Sequence, residues 1–345
     1  ALLVGLLRGP SLYRPDRNPA KALIRRNAII DLACERDGLA PDMAALAKAE
    51  PLPKGGGLPL YDSTFMFGEW ALSALPQDLA GSEAVVRTNL WPPLQASLRT
   101  LLGEALQGRD AGITAAGVII DNATGQVAAY VGNARFERER GLRWVDCARA
   151  PRSPGSTLKP FAYLLAFASG ELTPVSLLAD SPLSFAGQAP RNFDLTYRGP
   201  VKAGAALADS LNAPAVRVLR RVGGDNLLRF LRSLGFTGVA SASEHYGDSL
   251  ILGGCETTLL ELLGAYRYLA TLGQAQGVAA WQPVKIEKPA ARSGPSPAFA
   301  AAAYQIADSL HDVNELEPLA KAYFDGQRRV MAFKTGTSYG FRDAW

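Results

Sequence analysis

Hydrophobic positions along the chain change their spacing several times, and those changes mark out its elements. From Ala1 to about Glu50 apolar residues recur at helical spacing, interrupted by the proline-rich "GPSLYRPDRNP". Pro19 heads "AKALIRRNAIIDLACERDG", and Gly38 stands where that helix should stop. Proline suits a first helical turn, and glycine suits the left-handed residue after a last one. "PLPKGGGLPL", Pro51 to Leu60, forbids either regular period and predicts a boundary. The stretch from Tyr61 to Glu83 has no assignable period. "AVVRTNL" then predicts a short strand, and "PPLQASLRTLLGEALQ" a helix with Leu94, Leu98, Leu101, Leu102 and Ala105 on one stripe. In "AAGVIIDNATGQVAAYVGNARF" two β-rich runs flank "DNATG", which predicts a hairpin turning at Gly125.

After "PGSTLKPF" the spacing is helical almost throughout, in "FAYLLAFASG", "AALADSLNAPAVRVLRRVG", "DNLLRFLRSLG" and "TLLELLGAYRYLATLG". Strand character returns in "RRVMAFKTGTS". Two strands, a helical block and another strand predict an α+β fold, an antiparallel sheet packed with helices. The predicted division is a helical segment over 1–50, a linker over 51–83 and a larger domain over 84–345.

Composition narrows the classes. With 345 residues, 48% hydrophobic and 20% charged, the chain has material for two domains and is not disordered. A net charge of +4 without a basic stripe interleaved with aromatics gives no case for a nucleic-acid partner. Cys34, Cys147 and Cys255 are far apart, no CxxC occurs, and His245 and His311 lack partners at ligand spacing. Neither a zinc site nor a disulfide framework is expected. No stretch approaches the ~18 apolar residues of a membrane span. The chain starts without Met inside an apolar pattern and stops at "GFRDAW" with its alternation unfinished, so both ends read as cut.

Three short patterns carry candidate chemistry. In "PGSTLKPF", Ser156 opens a helix and Lys159 lies one turn deeper on the same face. A lysine buried there loses proton affinity, and its neutral amine can activate the adjacent hydroxyl without a histidine. The bland alternative is a capping serine with a solvated lysine, because an SxxK arises by chance about once in a chain this long. In "DSLNAP", Ser210 and Asn212 sit at a helix junction, where they could equally be turn residues. In "FKTGTS", Lys334, Thr335, Gly336 and Thr337 form a strand whose glycine lets another backbone approach. The alternating charges of "RFERERGLRW" read as a solvated surface, Cys255 as structural, and Asn192 and Asp194 as loop-fixing.

Taken in order, SxxK, SxN and KTG are the signature set of serine β-lactamases and penicillin-binding proteins. The sequence resembles that family from about Ala84 to Trp345. "SLN" in place of "SDN" points to its penicillin-binding side. "GVIIDNATGQVAAYVG", "NFDLTYRGPVKAGAALADSLNAPAV" and "LGGCETTLLELLGAYRYLA" look like the transpeptidase domain of bifunctional class A penicillin-binding proteins. "RAPRSPGSTLKPF" is similar to the type 1C subgroup. Residues 1–50 resemble the closing segment of that class's glycosyltransferase domain, without its catalytic glutamates, so glycan polymerisation is expected only of a longer parent.

The resemblance implies a DD-transpeptidase acting on D-Ala-D-Ala stem peptides of peptidoglycan through an acyl-serine, with β-lactams as covalent inhibitors. Ser156, Lys159, Ser210 and Lys334 would be catalytic, and Asn212, Thr335, Gly336 and Thr337 would bind substrate. It implies no cofactor or metal. The location implied is the periplasmic side of a bacterial inner membrane, with lipid-linked glycan as a further partner and an N-terminal anchor outside this chain. A DD-carboxypeptidase or β-lactamase-like hydrolase is the alternative within enzymes, and a non-catalytic peptidoglycan-binding fragment the alternative outside them.

Overall fold

A computed structural model of the chain describes residues 1–9, 11–15, 17–52, 64–75, 87–135, 144–183, 192, 196–239, 242–280, 294–311 and 331–345. The chain divides into two units, Ala1–Phe65 and Met66–Trp345. The boundary segment from Pro53 on, Ala84 to Val86 of "AVVRTNL", most of "RFERERGLRW" and Asp194 lie outside the described residues, and Arg87 to Leu90, the rest of that predicted strand, form no strand.

The first unit is helical: α1 (Leu2–Leu7), α2 (Pro19–Asp37) and α3 (Pro41–Ala49). Pro19 does open α2, and Gly38 ends it at φ +68°, the left-handed cap expected at its position. Arg26 is buried and donates to the carbonyls of Lys48 and Glu50 at the end of α3, which ties the two helices together.

In the second unit, α4 (Phe65–Ser73) occupies part of the stretch that has no readable period. It buries Met66, Phe67 and Ala71, and Trp70 stacks on Tyr130 with ring centroids 5.7 Å apart. Next, α5 (Pro92–Ala105) is followed by β1 (Gly117–Ile120) and β2 (Val127–Val131), an antiparallel hairpin with Gly117 opposite Val131. Gly125 has φ +76° in its turn, as expected. Of the predicted leucine stripe on α5, Leu94, Leu98 and Leu102 are partly buried, Leu98 and Leu102 against Gly117 of β1, while Leu101 and Ala105 are exposed. Gln95 of the same helix is buried, and its amide accepts from Tyr130 N at 2.7 Å and donates to Tyr130 O at 2.8 Å. The side chain acts as an extra peptide group against β2.

A 3₁₀ turn, Gly155–Leu158, runs into α6 (Lys159–Ala168). Then come β3 (Leu177–Asp180) and β4 (Gly199–Lys202), an antiparallel pair that the helical spacing of this block does not predict. They are followed by α7 (Ala203–Ala208), α8 (Asn212–Val222) and α9 (Gly224–Ser233). After short 3₁₀ segments come α10 (Leu259–Ala270) and α11 (Pro297–Ser309). The stretch from Ala332 to Ser338 makes isolated bridges, Ala332 to His311 and Thr337 to Ala344, rather than the strand ladder expected of it.

The core surrounds α6. Phe161, Ala162, Tyr163, Leu164 and Ala166 are fully buried, packed in one cluster with Val216 of α8, Leu228 of α9, Ala265 of α10 and Ala303 of α11. Each buried leucine or phenylalanine contributes ~1.5–3 kcal/mol. A helix held on every side keeps its first residue, Lys159, in a fixed place, and with it the 3₁₀ turn that carries Ser156. This mixed architecture of helices and small antiparallel sheets agrees with the α+β expectation.

Candidate active site

The site grows from the turn that opens α6. Pro154, Gly155, Thr157, Leu158, Lys159 and Pro160 are buried, and Ser156 alone among them is half-exposed. In a 3₁₀ turn residues three apart eclipse one another, which lines up Ser156 with Lys159. The turn is fixed by Thr157 Oγ1 donating to Pro154 O (2.8 Å) and Tyr266 Oη of α10 donating to Thr157 O (2.9 Å). Just before it, Arg152 exchanges backbone bonds with Thr257, and Ser153 Oγ donates to Gly253 O at 2.6 Å.

Glycines let three backbones meet here. A Cβ on Gly155, which has φ +56°, would sit 2.4 Å from Thr337 O and 2.7 Å from Thr337 N. A Cβ on Gly336 would sit 2.4 Å from Pro154 O, and one on Gly253 would sit 2.3 Å from Gly155 N. Such separations are unattainable, so only glycine allows the Lys-Thr-Gly segment and the 253 turn to close on the serine turn. The orientation of Thr337 follows from its neighbours. Gly336 exchanges both backbone bonds with Trp345 (3.1 and 2.8 Å). Alternation therefore turns the amide and carbonyl of Thr337 the other way, toward Gly155.

Lys159 is 0% exposed, yet its ammonium is surrounded by oxygen. Nζ donates to Ser210 O (2.6 Å), Asn212 Oδ1 (2.7 Å), Leu211 O (3.3 Å) and Ser210 Oγ (3.3 Å). These acceptors come from the break between α7 and α8, where Ser210 takes the left-handed φ of +55°. Burial first, then the like charge of Lys334, hold Lys159 well below the usual lysine range. Lys334 is half-buried, donates to Thr335 O at 2.9 Å, and burial pushes it down to about 8.

The structure thus joins Lys159, Ser210 and Asn212 by direct bonds, sets Lys334 close enough to repel Lys159, and lays Gly336 and Thr337 against the serine turn. Thr335 and Thr337 are exposed. Cys255 is buried with its thiol pushed up to about 12 by burial, the opposite of an activated nucleophile. Gly155 and Gly253 escape a reading of the sequence alone, although the "PG" and "GG" pairs hint at special turns. Among the described residues no group of His, Cys, Asp and Glu could hold a metal.

Comparison with known proteins agrees with the geometry. The chain belongs to the family of penicillin-binding protein transpeptidase domains, whose family model matches residues 115–343. It is 32% identical to penicillin-binding protein 1C of Escherichia coli (strain K12), in a match that takes in 100% of this chain and 43% of that protein. The chain therefore spans less than half the length of that relative. The penicillin-binding protein PonA1 from Mycobacterium tuberculosis has a similar fold, with a TM-score of 0.65 and 21% identity over 82% of this chain and 79% of that one. A structure of PonA1 in complex with penicillin V aligns with a TM-score of 0.59 and 21% identity over 81% of this chain and 75% of that one.

Proposed function

We propose that the chain carries the cross-linking site of a peptidoglycan DD-transpeptidase, in which Ser156 is acylated by D-Ala-D-Ala stem peptides and by β-lactams. One observation supports this above the others: a fully buried lysine, one 3₁₀ turn from the half-exposed Ser156, with Ser210 and Asn212 on its amine.

In this reading Lys159, in its neutral form, takes the proton of Ser156 as Oγ attacks the carbonyl of the penultimate D-Ala. Backbone N–H groups of Ser156 and Thr337 hold the oxyanion, each able to contribute about 3–4 kcal/mol. The C–N bond then breaks, and the terminal D-Ala leaves as an amine protonated through Ser210, with Lys334 tuning that relay. Asn212 holds the substrate amide. Lys334, Thr335 and Thr337 receive the terminal carboxylate, and Gly336 makes room for the peptide along the extended segment. The amine of a second stem peptide attacks the ester, forms the cross-link and returns the proton to Ser156.

The wider assignment is also a proposal. Residues 1–50 form the end of a glycosyltransferase domain, 51–83 a linker and 84–345 the transpeptidase domain. The parent protein polymerises lipid-linked glycan at the periplasmic face of the inner membrane. No helix among the described residues is long and apolar enough to cross a membrane. The support is a match to penicillin-binding protein 1C that extends over the whole of this chain.

The test uses the full-length protein with a synthetic D-Ala-D-Ala peptide and an amine acceptor. Release of D-Ala with acceptor incorporation, both abolished in Ser156→Ala, is expected. Release without incorporation would make it a carboxypeptidase, and incorporation surviving Ser156→Ala would overturn the assignment.

A further inference from the structure

Behind Lys159 lies a second layer of buried polar groups. Asp180, the last residue of β3, is 0% exposed, and Asn192 is 3% exposed. Asn192 Nδ2 donates to both carboxylate oxygens of Asp180 (3.0 Å each) and to Thr196 O (2.8 Å). The backbone N of Arg198 also donates to Asp180 Oδ2, at 2.9 Å. On its other side, Asn192 Oδ1 accepts the backbone N–H of Asn212 at 2.8 Å. Asn212 is the first residue of α8, and no side-chain cap from Leu211 serves that helix. Asn192 therefore supplies from outside an oxygen that a local cap would otherwise give.

The carboxylate decides which way the amide points. A carboxylate accepts but does not donate, so it draws the NH2 of Asn192 to itself and turns the carbonyl oxygen toward α8. Were the amide reversed, its oxygen would face Asp180 and its NH2 would face the N–H of Asn212, and both contacts would repel. Arg217 of α8 adds a second tie to the end of β3, donating to Ala179 O (2.9 Å) and Ser181 Oγ (3.0 Å). The residues secured in this way, Ser210 to Asn212, are the ones that present their oxygens to Lys159.

We infer that Asp180 and Asn192 are positioning residues of the acylation site, a buried clamp that holds the 210–212 junction where its oxygens meet the Lys159 amine. The inference rests on the reading of Ser156 and Lys159 as the acylating pair. Neither Asp180 nor Asn192 touches substrate. They set the distance between the amine and its acceptors, and through it the alignment of that amine with Ser156.

The test measures acylation of the full-length protein by a fluorescent penicillin over a range of concentrations, which resolves the rate of the covalent step and the affinity of the non-covalent complex. Thermal unfolding is followed in parallel. In Asn192→Leu, which keeps the volume and removes the amide, the covalent step should slow about tenfold to a hundredfold, the scale of a catalytic group displaced by about 1 Å. The concentration giving half-maximal rate should change by a smaller factor than the covalent rate, because moving Asn212 weakens one substrate contact whereas misaligning the amine slows the bond-making step itself. The double variant Asp180→Asn/Asn192→Asp reverses the pair, giving up the bond to Thr196 O while still offering an acceptor to Asn212 N and a donor between the two side chains, and it should recover part of the lost rate. An unchanged covalent step in a folded Asn192→Leu protein, or a folded double variant no faster than Asn192→Asp alone, would overturn the inference. The double variant decides the matter if Asn192→Leu does not fold. Failure of the wild-type protein to label at Ser156 would instead remove the acylation reading on which the inference depends.

Discussion

Gly155 shows how much rests on a single missing atom. It combines a left-handed φ of +56° with a backbone carbonyl 2.4 Å from where a Cβ would sit. In Gly155→Ala the strain of that φ costs about 1–2 kcal/mol, and the Lys-Thr-Gly segment must retreat from the serine. Acylation is expected to drop at least about tenfold, and a variant labelled by penicillin at the wild-type rate would contradict this account of the site. The two lysines lead to a signed pH dependence. Lys334 loses its proton at about 8, so raising the pH through that value removes the charge that receives the substrate carboxylate, and acylation should decline there. Arginine stays charged, so Lys334→Arg should carry the alkaline limb upward in a pH–rate profile. Lys334→Met removes a positive charge that depresses Lys159, so the acidic limb should shift to higher pH. Ser156 and Lys159 are readable in the sequence because their relation is local, three residues in one turn. Asp180 is not, since its role depends on partners 12 and 18 residues away brought together by folding.

Elements with strong local signals are readable as well. Pro19 and Gly38 bracket α2, and "DNATG" turns the β1–β2 hairpin at Gly125. What escapes is structure whose cause is tertiary. β3 alternates in burial, but its sequence Leu-Leu-Ala-Asp does not alternate in hydrophobicity, and Pro200 weakens β4 as a strand by removing a donor. On α5 the leucines mark the face that meets the hairpin, but they do not reveal Gln95, a polar residue buried because it pairs with the backbone of β2. Asn192 reads as loop-fixing in the sequence, and the junction it fixes carries the acceptors of Lys159. Helix α10 permits a control at this scale. Thr258 and Glu261 form a reciprocal capping box at its start. Thr258→Ala should lower stability by about 1 kcal/mol in chemical denaturation, with the acylation rate at room temperature unchanged. A lost rate without lost stability would mean that α10 acts on the site more directly than through Tyr266.

Across the second unit, one buried helix organises the site. α6 is enclosed by α8, α9, α10 and α11, and its first residue is the buried lysine. Two backbones, from the 253 turn and the Lys-Thr-Gly segment, close against the serine turn from outside the helical block. This convergence of distant segments explains why three short motifs, each weak alone, specify a site together. The central claim is that this convergence makes Ser156 an acyl acceptor, and intact-protein mass spectrometry after exposure to benzylpenicillin, followed by peptide mapping, tests it most directly. The account predicts one adduct per full-length molecule, located on Ser156 and absent from Lys159→Met. A protein that gains no mass, or whose adduct maps to another residue, would contradict it.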